Sequence, residues 1–477
     1  MNNCILLRYG EIGLKSKRTR PAFEKLYIKS IKDALTRNYI ENFEIKNLGG
    51  RFVVYCKAVD EAIQVLKRVA GIQSVSSAKK IDFSSKKYLI KKIKAVANSL
   101  VKKKTFGVKV KRVGTHNFDS MALARDVGEV LYKASKGVDL NNPEINVNLE
   151  VRNKECFFYT STIKGVGGLP AGSSEKVLCL FSGGIDSPVA AFQMIKRGCR
   201  VDFLFLNIMG KKLLNDVTRV YNFLITNYAF GYIPKLYVVD GKEIIKSLKK
   251  DVPDTLRQIA YKIVLYKIGE LIAKKYDYAS LVSGESLAQK SSQTLKSLLF
   301  IENQVSIHML RPLLSFDKLD ITKIAKKLGT LSSSEKIKEY CNLSEGPVTT
   351  APRESDIKKI PSFKNEISKT IKKISITKGV LEIKETPTLK LPKTQTIVTV
   401  DLRSEIIQKK IPLNTNLKVP YNEVFDQFNE FKKGKNYLLI CSFGVRSEDI
   451  ASELRTRGIK ATGISSQDFV KNFSKKK

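Results

Sequence analysis

The chain has only two histidines, His116 and His308, and none of its seven cysteines forms a Cys-x-x-Cys pair. Cys4, Cys56, Cys156, Cys179, Cys199, Cys341 and Cys441 stand singly, which argues against a structural zinc site or a disulfide scaffold. No uninterrupted apolar run approaches the roughly 20 residues that a membrane-spanning helix needs, and Met1-Asn2-Asn3-Cys4 does not open a signal peptide. A cytoplasmic protein with no membrane partner is therefore expected. Also missing are the Gly-x-x-x-x-Gly-Lys-Ser/Thr of the common P-loop, the Gly-x-Gly-x-x-Gly of dinucleotide folds, and any internal repeat with a period of about 20–50 residues.

Acids are scarce as well. Lys and Arg number 85 against 46 Asp and Glu, a formal net charge of +39. That imbalance fits a polyanionic partner such as RNA, and it also fits a general compositional bias toward Lys, Ile and Asn. Locally the excess is sharper: residues 71–112 hold 13 Lys and Arg against the single acid Asp82. An evenly solvated surface seldom concentrates charge in this way.

The 477 residues suggest about three domains. Strand-like Ile5-Leu6-Leu7, a helix from Pro21 to Asn38, strand Arg51 to Tyr55 and a helix from Val59 to Ala70 make a first α+β unit. A basic helix from Lys86 to Lys104, strand Phe106 to Val110, a helix from Ser120 to Lys133 and strands Ile145 to Val151 and Cys156 to Thr160 make a second. From about residue 176 to 330 strands and helices alternate, as in a doubly wound parallel sheet whose ligand crevice lies at the carboxyl ends of the strands. Pro347, Pro352, Pro361, Pro387 and Pro392 among many Lys, Thr and Ser residues read as an extended linker, and a last small α/β unit starts at Thr396.

The most informative segment is Ser182-Gly183-Gly184-Ile185-Asp186-Ser187-Pro188, between the apolar strand Val177 to Phe181 and a helix. A strand, a glycine turn and a helix start collect free N–H groups around one point, as a phosphate requires. Gly183 and Gly184 admit close approach of the backbone, Ser182 and Ser187 donate hydroxyl hydrogen bonds, and Asp186 suits a bridging Mg²⁺ or a neighbouring donor. The same residues also suit an ordinary capped turn. The segment resembles the PP-loop of ATP pyrophosphatases, which cleave ATP between the α- and β-phosphates.

Two further motifs, Ser283-Gly284-Glu285-Ser286-Leu287-Ala288-Gln289 with Ser291-Ser292-Gln293-Thr294-Leu295, and Leu310-Arg311-Pro312-Leu313, complete a pattern that strongly resembles the tRNA 4-thiouridine synthetase family. Arg8-Tyr9-Gly10-Glu11-Ile12-Gly13-Leu14-Lys15 is similar to that family's opening segment, and the basic stretch falls in what resembles its THUMP domain, an RNA-binding module. The resemblance implies a multidomain α/β and α+β chain. Its parts would be a ferredoxin-like unit at 1–75, a THUMP unit at 76–168, a PP-loop ATP pyrophosphatase domain at 174–345, a linker at 346–393 and a small rhodanese-like α/β domain at 394–477.

By motif match, Leu180, Phe181, Phe205, Leu206, Lys262, Gly284 and Gln293 would surround ATP, with Ser182, Gly183, Gly184, Asp186 and Ser187 at the phosphates and Mg²⁺ as cofactor. Lys262 is followed by Ile263, where the family usually has Arg. Lys79, Lys80, Lys102, Lys103, Lys104, Lys111 and Arg112 are the expected RNA contacts, each of which also suits a solvated face.

Cys441 heads Cys441-Ser442-Phe443-Gly444-Val445-Arg446-Ser447, which resembles a rhodanese active-site loop, and Asp401-Leu402-Arg403 resembles that domain's early signature. Loop N–H groups would stabilise a thiolate or persulfide there, with Arg446 adding positive charge. The resemblance makes Cys441 the sulfur carrier and Cys341 its redox-active disulfide partner, although either also reads as an ordinary thiol. It implies an ATP-dependent tRNA sulfurtransferase forming 4-thiouridine at uridine 8, with a cysteine desulfurase as persulfide donor. Paired subunits would help an elongated tRNA reach both its basic domain and the catalytic site. A sulfur carrier for thiamine thiazole synthesis is the alternative, and a non-catalytic RNA-binding protein would not need Asp186. No protein-held metal site is expected, and neither histidine pairs with a nucleophile at a suggestive spacing.

Overall fold

The computed structural model describes residues 2–14, 16, 18–337, 343–382 and 397–473. The chain divides into two units, Met1–Leu169 and Pro170–Lys477.

In the first unit, strands β1 (Asn2–Tyr9), β2 (Glu44–Asn47), β3 (Arg51–Tyr55), β4 (Ile72–Asp82), β5 (Thr105–Val113), β6 (Gly137–Val138), β7 (Ile145–Arg152), β8 (Glu155–Tyr159) and β9 (Ile163–Lys164) form one sheet. Its order is β2-β3-β1-β4-β8-β7-β5-β6, with β9 on β4. Helices α1 (Arg20–Arg37), α2 (Val59–Leu66), α3 (Lys86–Val101) and α4 (Ser120–Tyr132) complete it. The expected boundary at 75/76 falls inside β4, whose 11 residues pair with β1 on one side and β8 on the other. Ser85 and Asp119 cap α3 and α4 by accepting backbone N–H bonds from Tyr88 and Ala122. Leu89, Ile93 and Ala97 of α3 and Leu123, Val127 and Leu131 of α4 form apolar stripes against Phe158, Leu149 and Val151. Phe157, one residue from Phe158, points to the opposite face and packs with Cys4, Leu6, Val53 and Ala78. Apolar side chains are therefore buried on both faces of this sheet, while β5 and β4 keep exposed positions such as Lys111 and Lys79.

The second unit holds two sheets among the described residues. Strands β10 (Lys176–Leu180), β11 (Arg200–Asn207), β12 (Lys235–Asp240), β13 (Ser280–Val282), β14 (Met309–Leu310) and β15 (Ser375–Lys378) are ordered β14-β13-β10-β11-β12-β15. All pair in parallel except β15, which runs antiparallel to β12. The chain crosses from β10 to β11 on one side and returns as β13 on the other, so the strand order reverses at β10. Helices α5 (Asp186–Lys196), α6 (Lys211–Tyr228), α7 (Lys242–Asp251), α8 (Arg257–Tyr276), α9 (Leu295–Glu302), α10 (Lys318–Leu328), α11 (Leu331–Ser334) and α12 (Lys364–Lys372) flank this sheet.

Residues 346–382 are not an extended linker. They contain α12 and β15, and Ile360, Phe363 and Ile367 are buried in the core with Ile259 and Ile263 of α8. Ile367 on α12, Phe363 at its N-cap and Ile360 just before it anchor the segment, and this burial outweighs the Pro- and Lys-rich composition. The rest of the expected linker, 383–393, lies outside the described residues. The last sheet, β16 (Ile397–Asp401), β17 (Leu417–Lys418), β18 (Asn436–Cys441) and β19 (Lys460–Ser465), is parallel in the order β17-β16-β18-β19. It carries α13 (Glu405–Lys410), α14 (Val445–Thr456) and α15 (Ser466–Phe473).

Candidate active site

β10 ends at Leu180, where the strand order reverses, and the segment 182–185 turns directly into α5. Gly183 has φ +76°, and a Cβ there would lie 2.8 Å from Ile337 Cδ1 and 3.0 Å from Val217 Cγ2. Ser187 Oγ accepts the N–H groups of Ser182 and Gly183 at 3.1 and 3.2 Å, while Ser182 Oγ accepts that of Gly184 at 3.3 Å. Three consecutive N–H groups thus converge on hydroxyl oxygens, the arrangement a phosphate oxygen would use. Asp186 is buried in the first turn of α5, where Lys318 Nζ, at the start of α10, donates to its Oδ1 at 2.6 Å. Gly284, after β13, closes the loop from behind: a Cβ there would lie 2.9 Å from the Asp186 carbonyl carbon and 3.0 Å from Ser187 N.

Beside the loop lies a cavity of about 230 Å³. Leu180, Phe181, Ser182, Phe205 and Leu206 line it from the strand ends, Lys262 from α8, and Gln293 from the short turn Ser291–Gln293. Lys262, which lines one wall of the cavity, is held from behind by Glu285, which does not itself line it. This carboxylate is buried and accepts from Lys262 Nζ at 2.6 Å, Ser283 Oγ at 2.8 Å and Arg311 Nε at 2.9 Å, and from the Tyr266 hydroxyl. Burial alone would raise its pKa, but Lys262 first, then Tyr266 and Arg311, lower it to about 2. Ile263 faces the core instead, so the residue after Lys262 does not reach this wall.

The residues present fit ATP. Gln293 Oε1 is buried without a hydrogen-bond partner, and an adenine amino group could satisfy such an acceptor. Mg²⁺ is commonly held by one or two carboxylates plus phosphates, and Asp186 supplies a carboxylate here. Among the described residues no three His, Cys, Asp or Glu side chains are grouped to hold a metal by themselves.

A second locus lies at the end of β18. Cys441 is 5% exposed, and its Sγ accepts the Ser447 N–H at 3.3 Å and lies 3.3 Å from Ser447 Oγ. Gly444 caps α14 with φ +81°. Arg446 Nη2 donates to Asn227 Oδ1 of α6 at 3.1 Å, and its guanidinium stacks 4.9 Å from the Tyr421 ring centroid. Asp401 and Arg403 form a buried bidentate pair, with bonds of 2.9 and 2.7 Å. Cys341, and with it the expected Cys341–Cys441 disulfide, lies outside the described residues. Burial pushes the thiols of Cys4 and Cys156 up to about 12, as expected of inert core residues.

Comparison with known proteins decides the family. The family model described as "Thiamine biosynthesis protein (ThiI)" matches residues 172–365, "ThiI ferredoxin-like domain" matches 4–76 and "THUMP domain" matches 84–161. A tRNA sulfurtransferase of Pyrobaculum aerophilum is 34% identical over 476 residues, covering 96% of each chain. The chain belongs to the ThiI, tRNA sulfurtransferase, family. A tRNA sulfurtransferase of Thermoplasma volcanium is also 34% identical, over 96% of this chain and 94% of its own. Among solved structures, a 4-thiouridine synthetase–RNA complex with bound ATP superposes with a TM-score of 0.68 at 26% identity, covering 79% of this chain and all (100%) of the other. PH1313 from Pyrococcus horikoshii gives 0.54 at 25% identity, over 69% and 99%.

In this ThiI-family chain the expected RNA contacts are not one cluster. Lys102, Lys103 and Lys104 are exposed on the turn between α3 and β5, where Lys136 N bonds Lys104 O, whereas Lys111 and Arg112 lie at the far end of β5. Lys79 is exposed on β4. Lys80 is largely buried and spends its charge on Glu155 at 2.6 Å and Asp82 at 3.0 Å. Arg112 Nη1 bonds the Gly114 carbonyl and lies 3.2 Å from His116 Nδ1, and His308 Nδ1 lies 3.2 Å from Ser280 Oγ. Arg8 of the opening motif belongs to a buried cluster in which Glu150 faces Arg8, Arg51 and Arg152 at 3.7, 2.9 and 3.2 Å. Sequence reasoning missed Lys318 and the role of Glu285. Only the Glu within Ser283-Gly284-Glu285 was visible as a signal.

Proposed function

We propose that the chain is an ATP-dependent tRNA sulfurtransferase that adenylates O4 of a uridine, uridine 8 by family likeness, and replaces it with persulfide sulfur. The observation that carries this reading is the cavity where the Ser182–Ser187 loop, Lys262 and the unsatisfied Gln293 Oε1 meet at the end of β10. ATP supplies the leaving group: adenylation releases pyrophosphate and makes O4 depart with AMP. Gln293 holds the base, Leu180, Phe181, Phe205 and Leu206 enclose it, and the loop N–H groups and Lys262 stabilise charge at the phosphates. Asp186 would hold Mg²⁺ together with those phosphates, while Lys318 fixes its orientation.

On the sulfur side, the terminal sulfur of a Cys441 persulfide attacks C4 and AMP leaves. Cys341 then attacks Cys441 Sγ, breaking the S–S bond to the transferred sulfur and forming the Cys341–Cys441 disulfide, which a thiol reductant returns to two thiols. The Ser447 N–H stabilises the Cys441 thiolate. The first unit would bind the tRNA through its exposed lysines, and a cysteine desulfurase would load Cys441. A rhodanese-like assignment of residues 394–477, a cytoplasmic location and a homodimer belong to the same reading.

The test is mass spectrometry of tRNA nucleosides from a strain lacking the protein. 4-Thiouridine should be absent, restored by the wild-type chain and not by Asp186→Ala; restoration by Asp186→Ala refutes the adenylation role. A second reading, sulfur delivery for thiazole synthesis, is favoured by the separate parallel sheet that carries Cys441. It predicts that Asp186→Ala still supports growth without thiamine, whereas Cys441→Ser does not.

A further inference from the structure

Two segments touch both the PP-loop and the cysteine loop. On α6, Val217 abuts Gly183, while Arg219, Phe223 and Asn227 face the C-terminal sheet. Arg219 Nη1 bonds Asp468 Oδ2 at 2.8 Å and lies 3.4 Å from where a Cβ on Gly444 would stand, so its guanidinium covers the cysteine loop itself. On 331–337, Ile337 lines the nucleotide cavity, while Lys336 Nζ bonds Glu448 Oε1 at 2.8 Å and Ser332 hydrogen-bonds Asp449. The acids on the C-terminal side are withdrawn from water: the side chains of Asp468 and Glu448 are 4% and 6% exposed. Glu448 is shared between Lys336 and Arg455, whereas Asp468 is held by Arg219, and breaking that pair leaves a buried ion short of its partner.

We propose that Arg219, through Asp468, and Arg446, through Asn227, form a latch that docks the cysteine loop beside the PP-loop and shields Cys441 until it releases. Sulfur loading from outside then requires undocking, whereas transfer uses the docked arrangement. This purpose rests on the carrier reading of Cys441, but the shielding is a property of the thiol alone. Arg446 thereby acts as a docking residue, and Arg219 and Asp468 act as positioning residues.

The test is alkylation of the reduced full chain by iodoacetamide, read at the Cys441 and Cys179 peptides by mass spectrometry. Arg219→Glu should raise the Cys441 rate at least about ten-fold, through local opening rather than unfolding, with Cys179 in β10 unchanged. The charge swap Arg219→Glu with Asp468→Arg should return the rate to within about threefold of the wild type, because it restores the pair. A rate for Arg219→Glu within twofold of the wild type, no recovery in the double variant, or Cys179 reacting in step with Cys441 would each overturn the latch. No tRNA or ATP enters this measurement, so failure of the sulfurtransferase reading would leave its outcome intact.

Discussion

Replacing Glu285 by Gln should cost the second unit stability in a manner set by pH. The carboxylate is buried with Ser283 donating to it, and Lys262 first, then Tyr266 and Arg311, hold its pKa at about 2 against an ordinary 4.5. A depression of that size is worth roughly 3 kcal/mol to the folded state when the group is ionised. The folded value lies below the unfolded one, so this stabilisation is complete above about pH 4.5 and is lost as pH falls toward 2. Glu285→Gln should therefore lower the opening free energy of α8 by roughly 3 kcal/mol at pH 5, and by only about 1 kcal/mol at pH 3. Hydrogen exchange of the α8 amides, corrected for intrinsic rates, reads this locally and avoids assuming that the whole chain unfolds in one step. A gap that is absent at pH 5, or that is the same at both pH values, would refute the account, because the cations would then not depend on this carboxylate.

Two further outcomes follow from the same geometry. Gly284→Ala should weaken ATP binding at least ten-fold by calorimetry, since its Cβ would press on the backbone of Asp186 and Ser187, whereas Gly128→Ala, with nothing within 4 Å, should leave Kd unchanged. In the first unit, Lys104→Ala should weaken tRNA binding and reduce the slope of log K against log salt by about 1. Lys80→Ala should instead lower thermal stability and leave that slope as it is, because its charge is already paired with Glu155 and Asp82.

Strand ends were legible in the sequence. The alternation of strands and helices puts the crevice at the carboxyl ends of a parallel sheet, and Leu180, Phe181, Phe205 and Leu206, which the family resemblance named, line the cavity there with Ser182. What spacing could not show is which opposite charge the fold delivers. Lys318 is 132 residues from Asp186, and Arg446 is 219 from Asn227. Lys80 looked like one more member of a basic run until Glu155, on the neighbouring strand, claimed it.

The misread 346–382 has another cause. Its composition is that of a linker, and the few apolar residues Ile360, Phe363 and Ile367, of which only Ile367 lies in α12, tie it to the core through tertiary contacts that composition does not reveal. The misread charges follow instead from an imbalance of composition. Where 85 cations compete for 46 acids, a lysine or arginine says little about its own role, because most of them can remain in solvent. The scarce buried acids are the better guides. Asp186, Glu285, Glu150, Glu448 and Asp468 each select their cations from an excess, and each marks a place where the fold needs a charge held: the Ser182–Ser187 loop, the support behind Lys262, the first sheet and the surface against which the Cys441 sheet packs.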